Sequence, residues 1–471
     1  MQKSVKIHAV IAGGALSTDL YELTMMAGYY AAGVMAPATF ELYVRDLPPH
    51  RSFLVAAGLE QALAYLQDLH FDAGDIAYFR QLPNLRGVPA AFFDEYLPRF
   101  RFTGEVWAVA EGTPVVPPEP LVRITAPMPE AQLVETALLA HIGFQTSVAS
   151  RAARVIEAAA GRTVVDFGAR RAHGLEAGLL AARATYLAGC DATSNVDAAR
   201  RFGIPVSGTM AHSWVMAFPD ELTAFRTYAR IFGDTVLLID TYDTEQAARA
   251  IVASGLTPRG VRLDSGDLVA VSRRVRAILD EGGLRDTAIF VSSDLHEERI
   301  ADIVAAGAPI DGFGVGGALS TSSDAPALGA IYKLVTIERD GVPVPIMKLS
   351  PGKQSYPGRK QVWRRVERRG ERSGERSGER RVAVEDTIEL DDRPGPEGAE
   401  PLLERVMANG RRTSGVTPLP DLRTRCRAGI AALPAPVRRI RDAEVYPVRL
   451  GAGLRETIDR LTRGRATASP L

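Results

Sequence analysis

Six short apolar runs in the middle of the chain end in side chains that can bind or react. They are Thr163–Phe167, Ile204–Gly208, Val236–Asp240, Val261–Leu263, Ile289–Ser292 and Gly312–Val315. In the same order they bring Asp166 and Arg170; Thr209 and His212; Asp240 and Thr241; Arg262, Asp264 and Ser265; Ser293 and Asp294; and Gly316 and Gly317. One polar residue after a strand is usually a helix N-cap, so the weight lies in the repetition. In Arg262-Leu263-Asp264-Ser265-Gly266-Asp267, strand alternation puts Arg262 and Asp264 on one face. A guanidinium there can grip a carboxylate through two parallel hydrogen bonds. The neighbouring Asp can accept ribose hydroxyls or hold Mg2+, unless the two simply pair with each other. Gly314-Val315-Gly316-Gly317 lets backbone N–H groups approach a phosphate without a side chain in the way, or serves as a plain tight turn. Its spacing fits neither a Walker loop nor a dinucleotide fingerprint. His212, within Gly208-Thr209-Met210-Ala211-His212-Ser213, has the chemistry of a base, a ligand or a nucleophile that takes a phosphoryl group.

The elements that must position these residues alternate in kind. Helical patterns at Thr244–Ser254, Leu268–Glu281 and Glu297–Ala306 separate the β-rich runs. Such alternation implies a parallel sheet with right-handed crossovers. At least six units fit an α/β fold of the irregular TIM-like barrel kind over residues 131–330, with an open doubly wound sheet as the alternative. A barrel gathers the C-terminal strand ends on one mouth, where such folds build active sites. Ala131–Ala160 reads as two helices broken near Gly143. Residues 1–130 read as an α+β domain, with a strand at Phe40–Val44, a helix within Phe53–Leu69 and proline-interrupted edge strands over Phe102–Ile124. Strands from 331–395, beginning with a hairpin at Asp340-Gly341, complete that second domain. Glu367–Arg381 carries Gly-Glu-Arg-Ser twice, alternates in sign and is poor in apolar residues, which predicts a solvated, mobile loop. Residues 396–471 form a tail of short amphipathic helices.

Composition removes several classes of function. Lys and Arg balance Asp and Glu at 56 each, so no global field draws the chain to nucleic acid or a lipid surface. Glu interspersed with Arg, and no interleaved aromatic, argue against nucleic-acid binding by the Gly-Glu-Arg-Ser segment as well. Two distant cysteines, Cys190 and Cys426, allow no disulfide framework and no zinc pair. No apolar run approaches the roughly 20 residues of a membrane span, and a cytoplasmic protein is expected.

The chain resembles the nicotinate phosphoribosyltransferases, among the type II phosphoribosyltransferases. The resemblance is carried by Thr18-Asp19-Leu20-Tyr21-Glu22-Leu23-Thr24-Met25, Asp166-Phe167-Gly168-Ala169-Arg170-Arg171, the His212 and Arg262 segments above, Gly314-Val315-Gly316-Gly317, Tyr332-Lys333-Leu334-Val335 and Lys348-Leu349-Ser350 with Pro357-Gly358. It implies a homodimer with active sites shared between subunits, and an ATP-coupled ligase that makes nicotinate mononucleotide from nicotinate and 5-phosphoribosyl 1-pyrophosphate with Mg2+. It further implies that Tyr21, from the partner, and Phe167 sandwich the pyridine ring, with Arg170 near the ring or the phosphates. Thr209 and Arg262 are expected to meet the carboxylate. Asp264 and Ser265 belong to the phosphoribosyl side, Gly316 and Gly317 to the 5′-phosphate, and Arg45, Lys348 and Lys353 to further phosphate contacts. His212 matches the phosphorylated histidine. The rival readings are a nicotinamide enzyme, which would favour an Asp at the place of Ser194; a quinolinate enzyme, which would need more converging cations; and a non-catalytic binding relative.

Overall fold

The computed structural model describes residues 14–350, 355–373 and 376–466. The chain divides into two compact units. One is drawn from the described parts of Met1–Ser147, Ala327–Arg439 and Ala443–Leu471, the other from Val148–Pro326 with Ile440–Asp442.

The first unit is built on a seven-stranded antiparallel sheet. Its order is Val342–Pro345, Ala330–Arg339, Pro37–Val44, Pro120–Pro127, Glu105–Val109, Leu403–Ala408 and Arg411–Arg412. Asp340 and Gly341, with φ of 50° and 76°, turn the first hairpin, the conformation a two-residue connection demands. From Ala38 to Val44 the central strand is buried on both faces. Its one charge, Glu41, pairs with the buried Lys360 at 2.8 Å. That contact ties the central strand to the start of a second sheet, which is dominated by the strands Lys360–Ser373 and Arg376–Leu390.

Those two strands overturn the expectation of a loop over Glu367–Arg381. The antiparallel ladder runs unbroken in pairing, past one bulge, from Lys360↔Leu390 to Ser373↔Arg376. The register is set low in the hairpin by the buried Val362, Ala383 and Ile388. Sign-alternating residues beyond them extend the backbone ladder without needing an apolar face.

The base of this hairpin holds a buried charge cluster. Arg364 donates to both oxygens of Asp386 and to Pro114 O, and Tyr446 donates to Asp386 Oδ1 at 2.9 Å. Glu119 lies against the same group, accepting the Val116 N–H at 2.9 Å. Burial, with the Asp386 charge second, holds the Glu119 carboxyl well above the usual carboxylate range. A raised carboxyl contributes fully below its unfolded value and loses that contribution as pH climbs toward its folded value. Glu119→Gln removes this dependence. Relative to the variant, the wild type is expected to lose stability as pH rises above the ordinary glutamate range, read as urea midpoints from pH 5 to pH 8. Parallel pH curves for the two proteins would refute it.

In the second unit six parallel strands lie in the order Ala192–Thr193, Thr163–Asp166, Gly312–Val315, Ala288–Val291, Gly260–Leu263 and Val236–Leu238. Val164, Val165, Leu237, Val261, Leu263, Ile289, Val291, Phe313 and Val315 are all buried, as strands covered on both faces require. Helices return the chain between strands, and side-chain caps start them. Asp243 accepts from Gln246 N–H at 2.9 Å, and Asp267 from the N–H groups of Val269 and Ala270 at 3.1 Å.

The sheet corrects the barrel expectation. Among the described residues no ladder joins the Ala192–Thr193 edge to the Val236–Leu238 edge, so the strands form a curled half-barrel. The Ile204–Gly208 run contributes only a lone parallel bridge, Val206 to Thr193. Pro205 has no N–H to extend it, and Gly208 weakens the run at its end. The curl shows in side chains: Thr209, beyond one edge, touches Arg262 near the other. The helical stretch before this sheet is interrupted at Val134, between Met128–Leu133 and Glu135–Ala159, and not near Gly143. A single helix-interior glycine costs only about 1 kcal/mol, which the packing of a largely buried helix easily absorbs.

Candidate active site

Beyond the C-terminal ends of the parallel strands opens a cavity of about 450 Å3. Its walls include Phe167, Arg170, Thr209, Arg262, Asp264, Gly316 and Gly317, so seven of the residues singled out in the sequence come together there.

Each is held by its strand end. The buried Asp166 accepts from the Gly168 N–H and the Thr193 hydroxyl, both at 2.8 Å, and so shapes the turn that presents Phe167. Burial pushes the Asp166 carboxyl up, while these two donors pull it back. Phe167 lies on bare backbone, because a methyl group on Gly314 would overlap its ring. Arg170 and Arg171 follow on a single turn, Ala169–Arg171.

Arg262 donates through Nη1 to Thr209 Oγ1. Its Nε is enclosed and has no partner. Burial pulls the guanidinium below its ordinary value, while Asp264 and Asp240 work the other way. An enclosed cation with a free donor, beside a hydroxyl, has the chemistry to receive a planar carboxylate.

Asp264 is fixed through its backbone and its side chain. Its N–H donates to Asp240 Oδ2 at 2.9 Å, the Ser265 hydroxyl donates to that same oxygen at 2.6 Å, and Ser292 donates to Asp264 Oδ1. Asp264 Oδ2 stands 3.8 Å from His212 Nε2, and His212 Nδ1 stands 3.2 Å from Thr241 Oγ1. The imidazole is therefore flanked by a carboxylate on one side and hydrogen-bonded to a hydroxyl on the other. Ser265 reaches the site through Asp240.

Arg171, Ser292 and the positioning role of Asp240 were not drawn from the sequence. Arg171 was legible only as the second half of an Arg-Arg pair. Ser293, at a strand end and lining the cavity, takes φ of 117°, a strained value for a residue with a Cβ.

The remaining expected residues lie in the first unit or beyond the described residues. Tyr21 is half exposed on the helix Leu20–Ala31, with its hydroxyl 3.2 Å from Glu22 Oε1. Arg45 lines a separate cavity of about 560 Å3 with Tyr43 and Tyr356. Lys348 is exposed, and its N–H donates to Ser355 Oγ at 3.0 Å. Lys353 falls outside the described residues.

Family models match along the chain: the nicotinate phosphoribosyltransferase N-terminal domain over residues 16–143, the nicotinate phosphoribosyltransferase family over 163–362 and the C-terminal domain over 359–458. The nicotinate phosphoribosyltransferase pncB2 of Mycobacterium tuberculosis is 46% identical over 92% of this chain and 91% of its own length. The chain belongs to the nicotinate phosphoribosyltransferase family. A further member, from Bacillus subtilis, is 44% identical over 74% of this chain and 73% of its own. The crystal structure of human nicotinic acid phosphoribosyltransferase superposes with a TM-score of 0.79 at 27% identity, covering 94% of this chain and 99% of that one. The family match spans both units and contains every residue named around the cavity.

The group His296, Glu297 and Glu298 brings three potential metal donors together. Glu297, however, is already engaged by Arg151 and Arg154 at 3.0 and 3.3 Å, which makes this an ion-pair network that anchors a helix start.

Proposed function

We propose that the chain joins nicotinate to 5-phosphoribosyl 1-pyrophosphate, releasing pyrophosphate and nicotinate mononucleotide, with ATP hydrolysis coupled to the step. The observation that carries this reading is the convergence of Arg262 and Thr209 with Asp264 and Gly316–Gly317 in one cavity. Arg262 and Thr209 receive the carboxylate, and Phe167 supports one face of the pyridine ring so that its nitrogen is held toward the sugar. Asp264 accepts the ribose hydroxyls. Ser194, also in the wall, leaves the pocket without a carboxylate at that position, which suits an acid better than an amide.

His212 is the nucleophile for the ATP γ-phosphoryl group in this reading, with Thr241 and Asp264 holding the ring. Asp240 Oδ1 is enclosed without a partner, and Asp264 adds a second carboxylate; these are donors of the kind Mg2+ takes, and the ion would neutralise pyrophosphate charge. Tyr21, with the exposed Leu16, Leu20 and Met25 around it, forms an apolar surface suited to a second copy of the chain, which would bring Tyr21 to the partner's ring site. Arg45, Lys348 and Lys353 would add further phosphate contacts. No helix among the described residues is long and apolar enough to cross a membrane; we place the enzyme in the cytoplasm.

The direct test is incubation with nicotinate, phosphoribosyl pyrophosphate, Mg2+ and ATP, with detection of the mononucleotide. Faster turnover of nicotinamide than of nicotinate would overturn the substrate assignment. His212→Ala is expected to abolish ATP stimulation and nicotinate-dependent ATPase while slow ATP-independent transfer persists. Retention of both ATP-dependent activities would remove His212 from this role.

A further inference from the structure

The phosphoribosyl reading draws its phosphate cations, Arg45, Lys348 and Lys353, from outside the second unit and names none beside Gly316 and Gly317 themselves. Gly316 and Gly317 offer backbone donors, but a phosphomonoester carries close to two negative charges at neutral pH, and a glycine turn brings no full positive charge. Three guanidinium groups border the cavity: Arg170, Arg171 and Arg262. Arg262 is committed, bonded to Thr209 and flanked by Asp264 and Asp240. Arg170 borders the cavity close enough to Arg262 for the two like charges to repel. Arg171 lies elsewhere. A Cβ placed on Gly317 would stand 3.4 Å from Arg171 Cβ and 3.5 Å from its Cγ, so the arginine stem runs along the glycine turn. Its backbone is fixed by the N–H bond to Gly168 O at 2.9 Å. Among the described residues no ion pair or side-chain hydrogen bond engages its guanidinium.

We propose that Arg171 is the phosphate-binding cation that the second unit itself supplies, lying over a 5′-phosphomonoester seated on Gly316–Gly317, while Arg170 serves the carboxylate end. Two adjacent arginines on one turn thus divide the cavity between two anions. The inference rests on the phosphoribosyl reading of the cavity, and the test separates the two.

Binding of ribose 5-phosphate to the full chain is measured by titration calorimetry for the wild type, Arg171→Gln and Arg171→Lys, alongside KM values for both substrates. Loss of a charge-assisted contact is worth roughly tenfold to a hundredfold in affinity. Arg171→Gln is expected to weaken ribose 5-phosphate and raise the phosphoribosyl pyrophosphate KM by that factor, leaving the nicotinate KM within about twofold, and Arg171→Lys to recover most of the loss. Arg170→Gln is expected to show the reverse pattern, with nicotinate affected more. Unchanged ribose 5-phosphate binding in Arg171→Gln, equal loss of both substrates, or no binding by the wild type would overturn the proposal. Failure of the functional reading shows separately, as wild-type chain that binds ribose 5-phosphate through Arg171 yet forms no mononucleotide.

Discussion

Replacing Arg262 with Lys is expected to lower kcat/KM for nicotinate by about a hundredfold or more, although the charge is kept. Losing one member of a desolvated, hydrogen-bonded charge pair costs about 2–5 kcal/mol, or roughly thirtyfold to several thousandfold. Lysine cannot reproduce the flat fork that leaves Nε free while Nη1 holds Thr209. The shorter ammonium would also be drawn toward Asp264 and Asp240, the carboxylates that already act on Arg262. The phosphoribosyl pyrophosphate KM is expected to stay within about threefold, since that substrate is held by other groups. Steady-state kinetics with each substrate varied in turn checks this, and thermal unfolding separates it from a folding defect. A nicotinate kcat/KM within about threefold of wild type would mean that the carboxylate binds elsewhere.

The largest stability effect is expected from Arg364→Met, far from the chemistry. Arg364 is the cation between Asp386 and Glu119, both buried. Its removal leaves Asp386 with the Tyr446 hydroxyl and Glu119 with the Val116 N–H as their named donors. Breaking such a group by deleting one partner costs about 3–5 kcal/mol, mostly the penalty on the charge left behind. The Glu119 carboxyl, already raised by burial, loses the cation that lowers it and rises further, so the defect should deepen as pH climbs and ease toward pH 4. The double variant Arg364→Met/Asp386→Leu, which removes both charges, is expected to recover much of the loss. Urea denaturation across pH measures both effects. A single variant within about 1 kcal/mol of wild type would show that the cluster is wetter than its burial indicates.

Much of the site was legible because its residues end strands, and strand ends leave a local signature. Arg262 and Asp264 two apart, and the consecutive glycines at 316 and 317, declare themselves within a few residues. Arg171 did not, since only the approach of a distant turn gives it a task. Asp240 was visible as a polar strand end, but its hold on Asp264 crosses 24 residues and depends on two strands lying side by side. Closure of the sheet is illegible in the sequence for a related reason. A β-rich run such as Ile204–Gly208 shows that a strand is possible, and whether it pairs depends on Pro205 meeting a neighbour that wants its missing N–H. The Glu367–Arg381 segment looks like a loop in the sequence because it lacks an apolar face. Its pairing is inherited from Val362, Ala383 and Ile388 lower in the same hairpin.

The absence of a side chain at Gly314 has a consequence for which compounds the cavity accepts. The Phe167 ring leans on peptide backbone, and a backbone within a parallel sheet has no alternative rotamer into which it can withdraw. That wall cannot retreat to admit a group projecting from the plane of a bound heterocycle. Flat inhibitors extended within the ring plane should therefore be tolerated where puckered or out-of-plane analogues of the same volume are refused.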